Sequence, residues 1–175
     1  FGGEIDDKQL LTRASKNVQN IVFLAGLVGD PITKKYPILS KSINEDKLIK
    51  SIDFFENKNL DKLIFISTCS NYGLIEGDYL ADENFPLNPI SSYAKAKVKI
   101  EKYLLSKKTK VNYAGVILRF ATAFGLSPRM RFDLTVNQFT WDLYFNKYVS
   151  VYDENTLRPY CHVNDFARLI DNVIK

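Results

Sequence analysis

The sequence predicts an α/β protein built on a doubly wound parallel sheet. Three continuous apolar segments, at residues 20–25, 62–67 and 111–120, are typical of strands that are buried on both faces. Segments with helical character alternate with these strands along the chain, which is the pattern of a parallel sheet covered by helices. Ligands of such sheets bind at the carboxyl ends of the strands, so function should be sought in the residues that follow each strand.

The helices are predicted from apolar residues at helical spacing and from the polar segments between them. Helices are expected over residues 7–17, 37–57 and 89–107, and a polar loop is expected over residues 71–88. The apolar positions of the second helix are Leu39, Ile43, Leu48, Ile52 and Phe55.

The pattern of elements changes after residue 131. An aromatic-rich helix is expected over residues 132–146, a short strand over 149–152 and a helix over 163–174. We therefore predict two domains, with residues 1–131 forming the sheet and residues 132–175 beginning a smaller lobe.

The composition is that of a globular chain with enough apolar material for one core: 175 residues, of which 46% are hydrophobic and 25% charged. Basic residues are scattered, and the net charge is a modest +4, which argues against nucleic-acid binding. Cys69 and Cys161 have no metal-ligand spacing and His162 is the single histidine, so we expect neither a zinc site nor a disulfide scaffold. From this use of cysteine we expect the protein to work in a reducing cytoplasm. The longest apolar run, residues 21–29, is shorter than the ~18 residues that a membrane span needs, so no membrane association is expected.

Small residues and hydroxyls follow the first two strands. Ala25 and Gly26 would let a flat ligand approach the backbone, although an ordinary strand-to-helix turn explains them equally well. Residues 67–73 place several hydroxyls at the end of the second strand, among them that of Thr68. Turn chemistry alone would also favour such a cluster.

Tyr93 and Lys97 stand four residues apart at the start of a helix, so they lie on one helix face. A phenol has a reference pKa of ~10 and needs help to act as a base near neutrality, and a nearby ammonium supplies it by stabilising the phenolate. The pair could also arise by chance on a solvated helix, because lysine is common here, as Lys95 and Lys99 show.

Taken in order, these motifs resemble the extended short-chain dehydrogenase/reductase family, in particular its NAD-dependent epimerase/dehydratase members that modify nucleotide sugars. Members place a Ser or Thr at a strand end and a Tyr-x-x-x-Lys on the following helix, as Thr68, Tyr93 and Lys97 do here. Residues 118–125 resemble the strand and loop beside the nicotinamide. Residues 158–165 resemble the Arg-x-Tyr-Ile-His-Val-x-Asp segment that begins the substrate lobe.

The resemblance implies a partial Rossmann fold that binds NAD, with NADP as an open alternative. It implies a catalytic role for Thr68, Tyr93 and Lys97. The residues expected at the cofactor are Glu4, Ile5, Ala25, Gly26, Asn44, Tyr93 and Lys97. Asn137 and Arg158 correspond to residues that face the nucleotide diphosphate, where a guanidinium suits phosphate oxygens. His162 corresponds to a framework residue.

The implied function is oxidoreduction at a sugar carbon, C4, of a nucleotide sugar, by an epimerase or by a dehydrogenase or ketoreductase. Residues 127–134 resemble a subgroup of bacterial enzymes that make surface polysaccharides. A non-catalytic sensor or scaffold of the same fold is the alternative, which retention of Thr68, Tyr93 and Lys97 argues against. A homodimer of the full-length protein also remains open.

The sequence departs from the family pattern in two places, the glycine-rich turn and the residues after Thr68. The glycine-rich turn that binds the pyrophosphate is absent, so residues 1–175 should bind NAD poorly by themselves. The chain also begins without a start methionine and ends in a helix that has no cap glycine, so we expect truncation at both ends. Cys69-Ser70 stands where 4,6-dehydratases have Asp-Glu, which disfavours dehydration.

Overall fold

The computed structural model describes residues 2–77 and 79–175, with a division between two compact units at Arg119 and Phe120. The helices are α1 (Lys8–Ala14), α2 (Asp30–Lys35), α3 (Pro37–Lys41), α4 (Leu48–Phe55), α5 (Ser92–Ser106), α6 (Thr135–Trp141) and α7 (Val163–Ile174). The strands are β1 (Asn20–Phe23), β2 (Lys62–Thr68), β3 (Ala114–Phe120), β4 (Thr122–Phe124) and β5 (Tyr160–His162). A π-helical segment, Ser42–Lys47, joins α3 to α4, a 3₁₀ turn, Cys69–Tyr72, follows β2, and a second π-helical segment, Asp142–Asn146, follows α6.

The three predicted strands form one sheet in the order β1-β2-β3. Strands β1 and β2 are parallel, with Asn20 opposite Lys62 and Phe23 opposite Phe65. The α/β fold with a parallel Rossmann-type sheet is therefore confirmed. Strand β3 begins later than predicted, at Ala114, whose amide donates to the carbonyl of Asp61 at 2.9 Å.

Strand β2 is the centre of the core. Leu63, Ile64 and Phe65 are each 0% exposed, which means that both faces of the strand are covered and explains its unbroken apolar run. The core cluster joins β2 to α4 and α5, and its helical members are Leu48, Ile52, Phe55, Ile100 and Leu104. Each fully buried side chain of this size contributes roughly 1.5–3 kcal/mol, so this cluster fixes the position of α5 on the sheet.

The predicted long helix at residues 37–57 exists, but its apolar face is not continuous. Leu48, Ile52 and Phe55 are buried as predicted, whereas Leu39 is 48% exposed. The π-helical segment Ser42–Lys47 lies between them, and its wider turn rotates the preceding residues away from the buried stripe. Small and polar side chains, Ser40 and Asn44, occupy the buried positions there.

The second unit differs from the prediction at one strand. Residues 149–152 form no strand; Val151 and Tyr152 are exposed, and a turn follows in which Asp153 has a φ of 59°. The strand of this unit is β5, which pairs in parallel with β4 from Thr122 opposite Tyr160 to Phe124 opposite His162. The chain turns directly from β5 into α7, because His162 caps that helix: its Nδ1 accepts the amide hydrogen of Asn164 at 3.2 Å.

Across residues 2–77 and 79–175, none of the helices combines the length and the apolar character that crossing a membrane would need.

Candidate active site

Helix α5 brings Tyr93 and Lys97 to the carboxyl end of β2. Lys97 is 6% exposed, and its Nζ donates to the carbonyl oxygen of Ile66 at 2.6 Å. The same Nζ lies 4.5 Å from the ring centroid of Phe65 and 5.6 Å from that of Tyr93. Tyr93 and Lys97 therefore lie on one helix face, as predicted, while their catalytic roles stay a prediction.

The sequence around α5 explains how the helix reaches this position. Ser91 caps it by accepting the amide hydrogen of Ala94 at 3.2 Å. Ala94 and Ala96 are buried, at 0% and 3% exposed, and their small side chains allow the first turns to lie close to the strand.

Burial changes the acid–base chemistry of Lys97. Removal of the ammonium from water lowers the pKa of Lys97 to about 8, while the negative charge of Glu101 raises it by a smaller amount. The side chain is therefore still mostly protonated near neutrality, but it can titrate at mildly alkaline pH.

Thr68 is the last residue of β2 and directly precedes the 3₁₀ turn Cys69–Tyr72. Its Oγ1 accepts the amide hydrogen of Ser70 at 3.2 Å, so the hydroxyl caps the 3₁₀ turn. Thr68 is half-buried and lies two residues beyond Ile66, whose carbonyl oxygen holds Lys97. The three predicted catalytic residues thus belong to one strand end and the helix packed against it.

A buried carboxylate that the sequence analysis missed lies next to these residues. Glu101 is 1% exposed and accepts hydrogen bonds from Ser67 Oγ at 2.5 Å and from Asn71 Nδ2 at 2.7 Å. Arg119 of β3 binds the same carboxylate through Nε and Nη2, the latter at 2.8 Å. The signal was in the sequence, because Glu101 follows Tyr93 and Lys97 at the same four-residue interval.

Arg119 extends this network to the loop after the turn. Its Nη1 donates to the hydroxyl of Tyr72 at 3.0 Å and to the carbonyl oxygen of Glu83 at 3.1 Å. The hydrogen bonds to Glu101 hold the pKa of Arg119 above its ordinary value, so the guanidinium is always charged. The ion pair of Arg119 with Glu101 therefore connects α5 to β3 and, through the other hydrogen bonds of Arg119, to Tyr72 and Glu83.

Asn44 supports the loop after β1. Its Oδ1 accepts the amide hydrogen of Leu27 at 2.7 Å, and its Nδ2 donates to the carbonyl oxygen of Leu27 at 2.9 Å and to Ser40 Oγ at 3.2 Å. Ala25 and Gly26, at the start of this loop, are exposed. The buried amide of Asn44 thus holds the loop that was predicted to meet the cofactor, and a role for Ala25, Gly26 and Asn44 at the cofactor stays a prediction.

Glu4 and Ile5 attach the start of the chain to the segment before α4. Glu4 is exposed and pairs with Lys47, which raises the pKa of that lysine. The backbone carbonyl of Ile5 accepts a hydrogen bond from Ser51 Oγ at 2.6 Å, and its side chain packs against the core. A role for Glu4 and Ile5 at the adenine stays a prediction.

Asn137, Arg158 and His162 belong to the second unit and make contacts within it. Asn137 Oδ1 accepts the amide hydrogen of Gly125 at 3.3 Å, and its Nδ2 donates to the carbonyl oxygen of Arg131 at 3.1 Å. Arg158 Nε donates to Thr122 Oγ1 at 2.9 Å. His162 packs edge-on against Phe124 with ring centroids 5.3 Å apart, which agrees with a framework role. Diphosphate binding by Asn137 and Arg158 stays a prediction.

Comparisons with known proteins agree with this fold and this order of motifs. The model of the NAD dependent epimerase/dehydratase family matches residues 1–175. A protein of Methanocaldococcus jannaschii that is provisionally named as a UDP-glucose 4-epimerase is 27% identical over 172 residues, which cover 94% of this chain and 55% of that protein.

Two solved structures show the same fold. A UDP-glucose 4-epimerase of Thermotoga maritima with UDP-glucose has a TM-score of 0.85 at 22% identity, over 96% of this chain and 56% of that one. A double mutant of DesIV, a dTDP-glucose 4,6-dehydratase of Streptomyces venezuelae, with NAD bound has a TM-score of 0.83 at 21% identity, over 98% of this chain and 53% of that one. The chain thus spans about half the length of the proteins it matches. On the match of the whole sequence to the family model, the chain belongs to the NAD-dependent epimerase/dehydratase family.

Proposed function

We propose that this chain carries the acid–base part of an enzyme that oxidises carbon C4 of a nucleotide sugar with NAD. The observation that carries the proposal is the buried ammonium of Lys97, held on the Ile66 carbonyl at the end of β2 and 5.6 Å from the ring centroid of Tyr93. A cation beside the phenol oxygen favours the phenolate form of a tyrosine, which is the form that can accept a proton, and we propose that Lys97 acts on Tyr93 in this way.

In the proposed reaction, the phenolate of Tyr93 removes the proton from the C4 hydroxyl of the sugar. Thr68 donates a hydrogen bond to the same sugar oxygen, and Lys97 stabilises the negative charge on Tyr93 before the transfer. NAD, when bound, supplies the acceptor for the hydride on C4. The product of this half-reaction is a 4-keto sugar, which an epimerase retains and reduces on the other face and which a dehydrogenase releases.

The described residues fit the nicotinamide end of NAD. Ala25 and Gly26 are small and exposed, and Asn44 holds the loop that carries them. Lys97 extends from α5 to the Ile66 carbonyl near the end of the adjacent strand, β2, and we propose that its ammonium donates to a ribose hydroxyl of the bound cofactor. The glycine-rich turn that would bind the pyrophosphate is not among the 175 residues, so the fit concerns this end of the cofactor alone.

Epimerisation and dehydration both remain within the family. The solved structures of this fold include 4-epimerases and a 4,6-dehydratase, so they give no support for setting dehydration aside. The preference for simple oxidoreduction rests on Cys69-Ser70, which offers no carboxylic acid beside Thr68 for the elimination of water. The reaction product therefore has to be identified directly.

The proposal extends to the setting of the enzyme. Cys69 and Cys161 lack metal-ligand spacing, and the setting that we propose is a reducing compartment such as the cytoplasm. The resemblance of residues 127–134 to enzymes of surface polysaccharide biosynthesis supports that role, and a homodimer of the full-length protein is the assembly that we propose to test.

Substitution of Tyr93 by Phe tests the proposal. The ring and its packing remain, but the proton acceptor is lost, so we expect turnover of a UDP- or dTDP-hexose to fall about 10²–10⁴-fold in the full-length enzyme. Products are identified by NMR as the C4 epimer, the released ketone or the 4-keto-6-deoxy sugar. Tyr103→Phe on the same helix is the matched control and should retain turnover. Full activity in Tyr93→Phe would favour the non-catalytic sensor or scaffold.

A further inference from the structure

Three ionisable side chains follow one another along the buried face of α5. Tyr93, Lys97 and Glu101 stand at intervals of four residues, and the last two are 6% and 1% exposed. The proposed reaction gives a role to the first two and none to Glu101. A buried carboxylate is costly unless hydrogen bonds and opposite charge compensate it, so its presence here needs a reason.

Glu101 connects α5 to the segments before and after Thr68, the residue that is proposed to bind the sugar oxygen. Ser67 and Asn71, whose side chains donate to the Glu101 carboxylate at 2.5 and 2.7 Å, stand one residue before and three residues after Thr68. Arg119 holds the carboxylate from β3 with Nη2 at 2.8 Å. The position of Thr68 relative to α5 is thus set by hydrogen bonds that meet on one carboxylate.

The orientation of Asn71 shows that the carboxylate dominates this cluster. Asn71 is 0% exposed, and its Nδ2 serves both Ser67 Oγ at 2.9 Å and Glu101. Its Oδ1 is buried and accepts no hydrogen bond from the described residues. Leaving such an acceptor unpaired costs about 1–3 kcal/mol, a cost that the charge-assisted bond to Glu101 offsets.

We propose that Glu101 is a positioning residue of this site, which fixes the Thr68 strand end against the helix face of Tyr93 and Lys97 and supplies the negative charge that favours the ammonium form of Lys97. The proposal rests on the proposed function for its catalytic consequence. Its electrostatic part stands on the placement of Glu101 one helical turn beyond Lys97 on the same buried face.

The charges around Lys97 are consistent with this role. Glu101 is the charge that raises the pKa of Lys97 against the larger lowering by burial. The contacts of Lys97 on β2, the Ile66 carbonyl and the Phe65 ring, are uncharged. Acidic groups on the other elements beside α5 bind elsewhere: Glu45 binds Lys99, and Asp53 binds Tyr103. Arg119 pairs with the carboxylate of Glu101 and also donates a hydrogen bond to the hydroxyl of Tyr72.

The test measures the pKa of Lys97 by NMR of the 175-residue chain with labelled lysine. Glu101→Gln keeps the shape of the side chain and removes its charge, so the pKa of Lys97 should fall below its starting value of about 8. Glu45→Gln removes a carboxylate that binds the exposed Lys99 of the same helix, and it should leave the pKa of Lys97 unchanged. An unchanged pKa in folded Glu101→Gln would overturn the electrostatic part.

A second variant covers the case in which Glu101→Gln does not fold because Arg119 is left unpaired. The double substitution Glu101→Gln with Arg119→Met removes both charges and leaves a side-chain carbonyl that can accept the hydrogen bonds of Ser67 and Asn71. The pKa of Lys97 should again fall, since Glu101 is the charge that acts on it. A folded double variant with the pKa of Lys97 still near 8 would contradict the proposal.

The catalytic consequence is measured in the full-length enzyme. Glu101→Gln should lower kcat on the order of 10- to 100-fold with little change in KM, because displacement of a positioned group costs turnover without removing substrate contacts. The alkaline limb of the pH–rate profile should move to lower pH, and Glu101→Asp, which keeps the charge, should restore that limb. A role that is only structural would lower stability and leave the pH profile in place. If Tyr93→Phe retains turnover while the pKa of Lys97 still responds to Glu101, the proposed reaction fails and the electrostatic role of Glu101 stands.

Discussion

Gly73 lies so close to another segment of backbone that it leaves no room for a side chain. It ends the 3₁₀ turn after Thr68 with a φ of 74°, and a Cβ built on it would lie 2.1 Å from the carbonyl oxygen of Asn88. The amide of Asn88 donates in turn to the carbonyl oxygen of Asn71 at 3.0 Å. The polar loop is therefore tied to the strand end that carries the candidate site.

Substitution of Gly73 by Ala should destabilise the chain by about 2–4 kcal/mol, from the strain of a left-handed conformation and from the clash with Asn88. Gly77→Ala is the matched control. Its φ of 76° is similar, but among the described residues a Cβ there would meet the Tyr79 ring at 3.5 Å, an ordinary contact. It should cost about 1–2 kcal/mol. Urea unfolding measures both values, and equal losses would show that the approach to Asn88 is unimportant.

For individual residues, the sequence predicted that Tyr93 and Lys97 share a helix face, but it did not predict which residues surround them. The four-residue interval was enough to place Tyr93 and Lys97 on one face. The contact of Glu101 with Arg119 was not predictable in the same way, because it joins a helix to a strand and depends on how α5 lies over the sheet. Asn44 was expected at the cofactor on the strength of resemblance, and its bonds to the Leu27 backbone were not predicted.

At the scale of elements, helix α5 depends on its first turn for the position of Tyr93. Ser91 supplies the cap, and the helix begins at Ser92 rather than at the predicted residue 89. The delay has a physical reason: the capping serine needs extended backbone, which Ser91 has with a ψ of 154°.

Ser91→Ala should destabilise the chain by about 1 kcal/mol, because the amide of Ala94 loses its acceptor. The first turn carries Tyr93, so its amide protons should exchange faster with solvent in the variant, as hydrogen exchange by NMR can measure. Ser92→Ala changes the neighbouring serine, which is exposed and stands inside the helix, and it should be neutral or slightly stabilising. Equal exchange rates in the two variants would mean that Ser91 does not act as the cap.

Two elements show where periodicity is insufficient. The π-helical segment Ser42–Lys47 preserves the predicted long helix but shifts its buried face, since one wider turn changes the register of every residue before it. Residues 149–152 have the composition of a strand, but a strand also needs a partner. In the second unit β5 pairs with β4, and Val151 and Tyr152 are exposed.

At the scale of the whole molecule, the alternation of apolar strands with helices was sufficient to predict the sheet. The order β1-β2-β3 and the parallel register of β1 with β2 follow from that alternation, because a helical crossover returns the chain to the same end of the sheet. The boundary between units was less predictable. The division between the units falls between Arg119 and Phe120, at the end of β3, where the sequence does not have the composition of a linker.

The buried ammonium of Lys97 should leave a signature in the stability of the chain. Burial lowers the pKa of Lys97 to about 8 in the folded chain, against 10.5 for an ordinary lysine. Between these two pH values the unfolded chain binds a proton that the folded chain does not, so the free energy of unfolding should rise with pH across this window. Below pH 8 both states are protonated, and the folded chain carries the full cost of the buried charge.

The expected gain is at most about 3 kcal/mol, because a difference of one pKa unit corresponds to about 1.4 kcal/mol. Urea unfolding at pH values from 7 to 10 should show the rise, and Lys97→Met, which has no titrating group, should remove it. Lys99→Met is the matched control on the exposed face of α5. Since Glu45 raises the pKa of Lys99, that lysine stays charged in both states throughout the window, and the control should keep the slope of the parent chain. Burial raises the pKa values of Tyr103 and Tyr113, so these tyrosines lower stability only above pH 10. A slope that persists in Lys97→Met would mean that Lys97 is not the titrating group and would remove the electrostatic basis for pairing it with Tyr93.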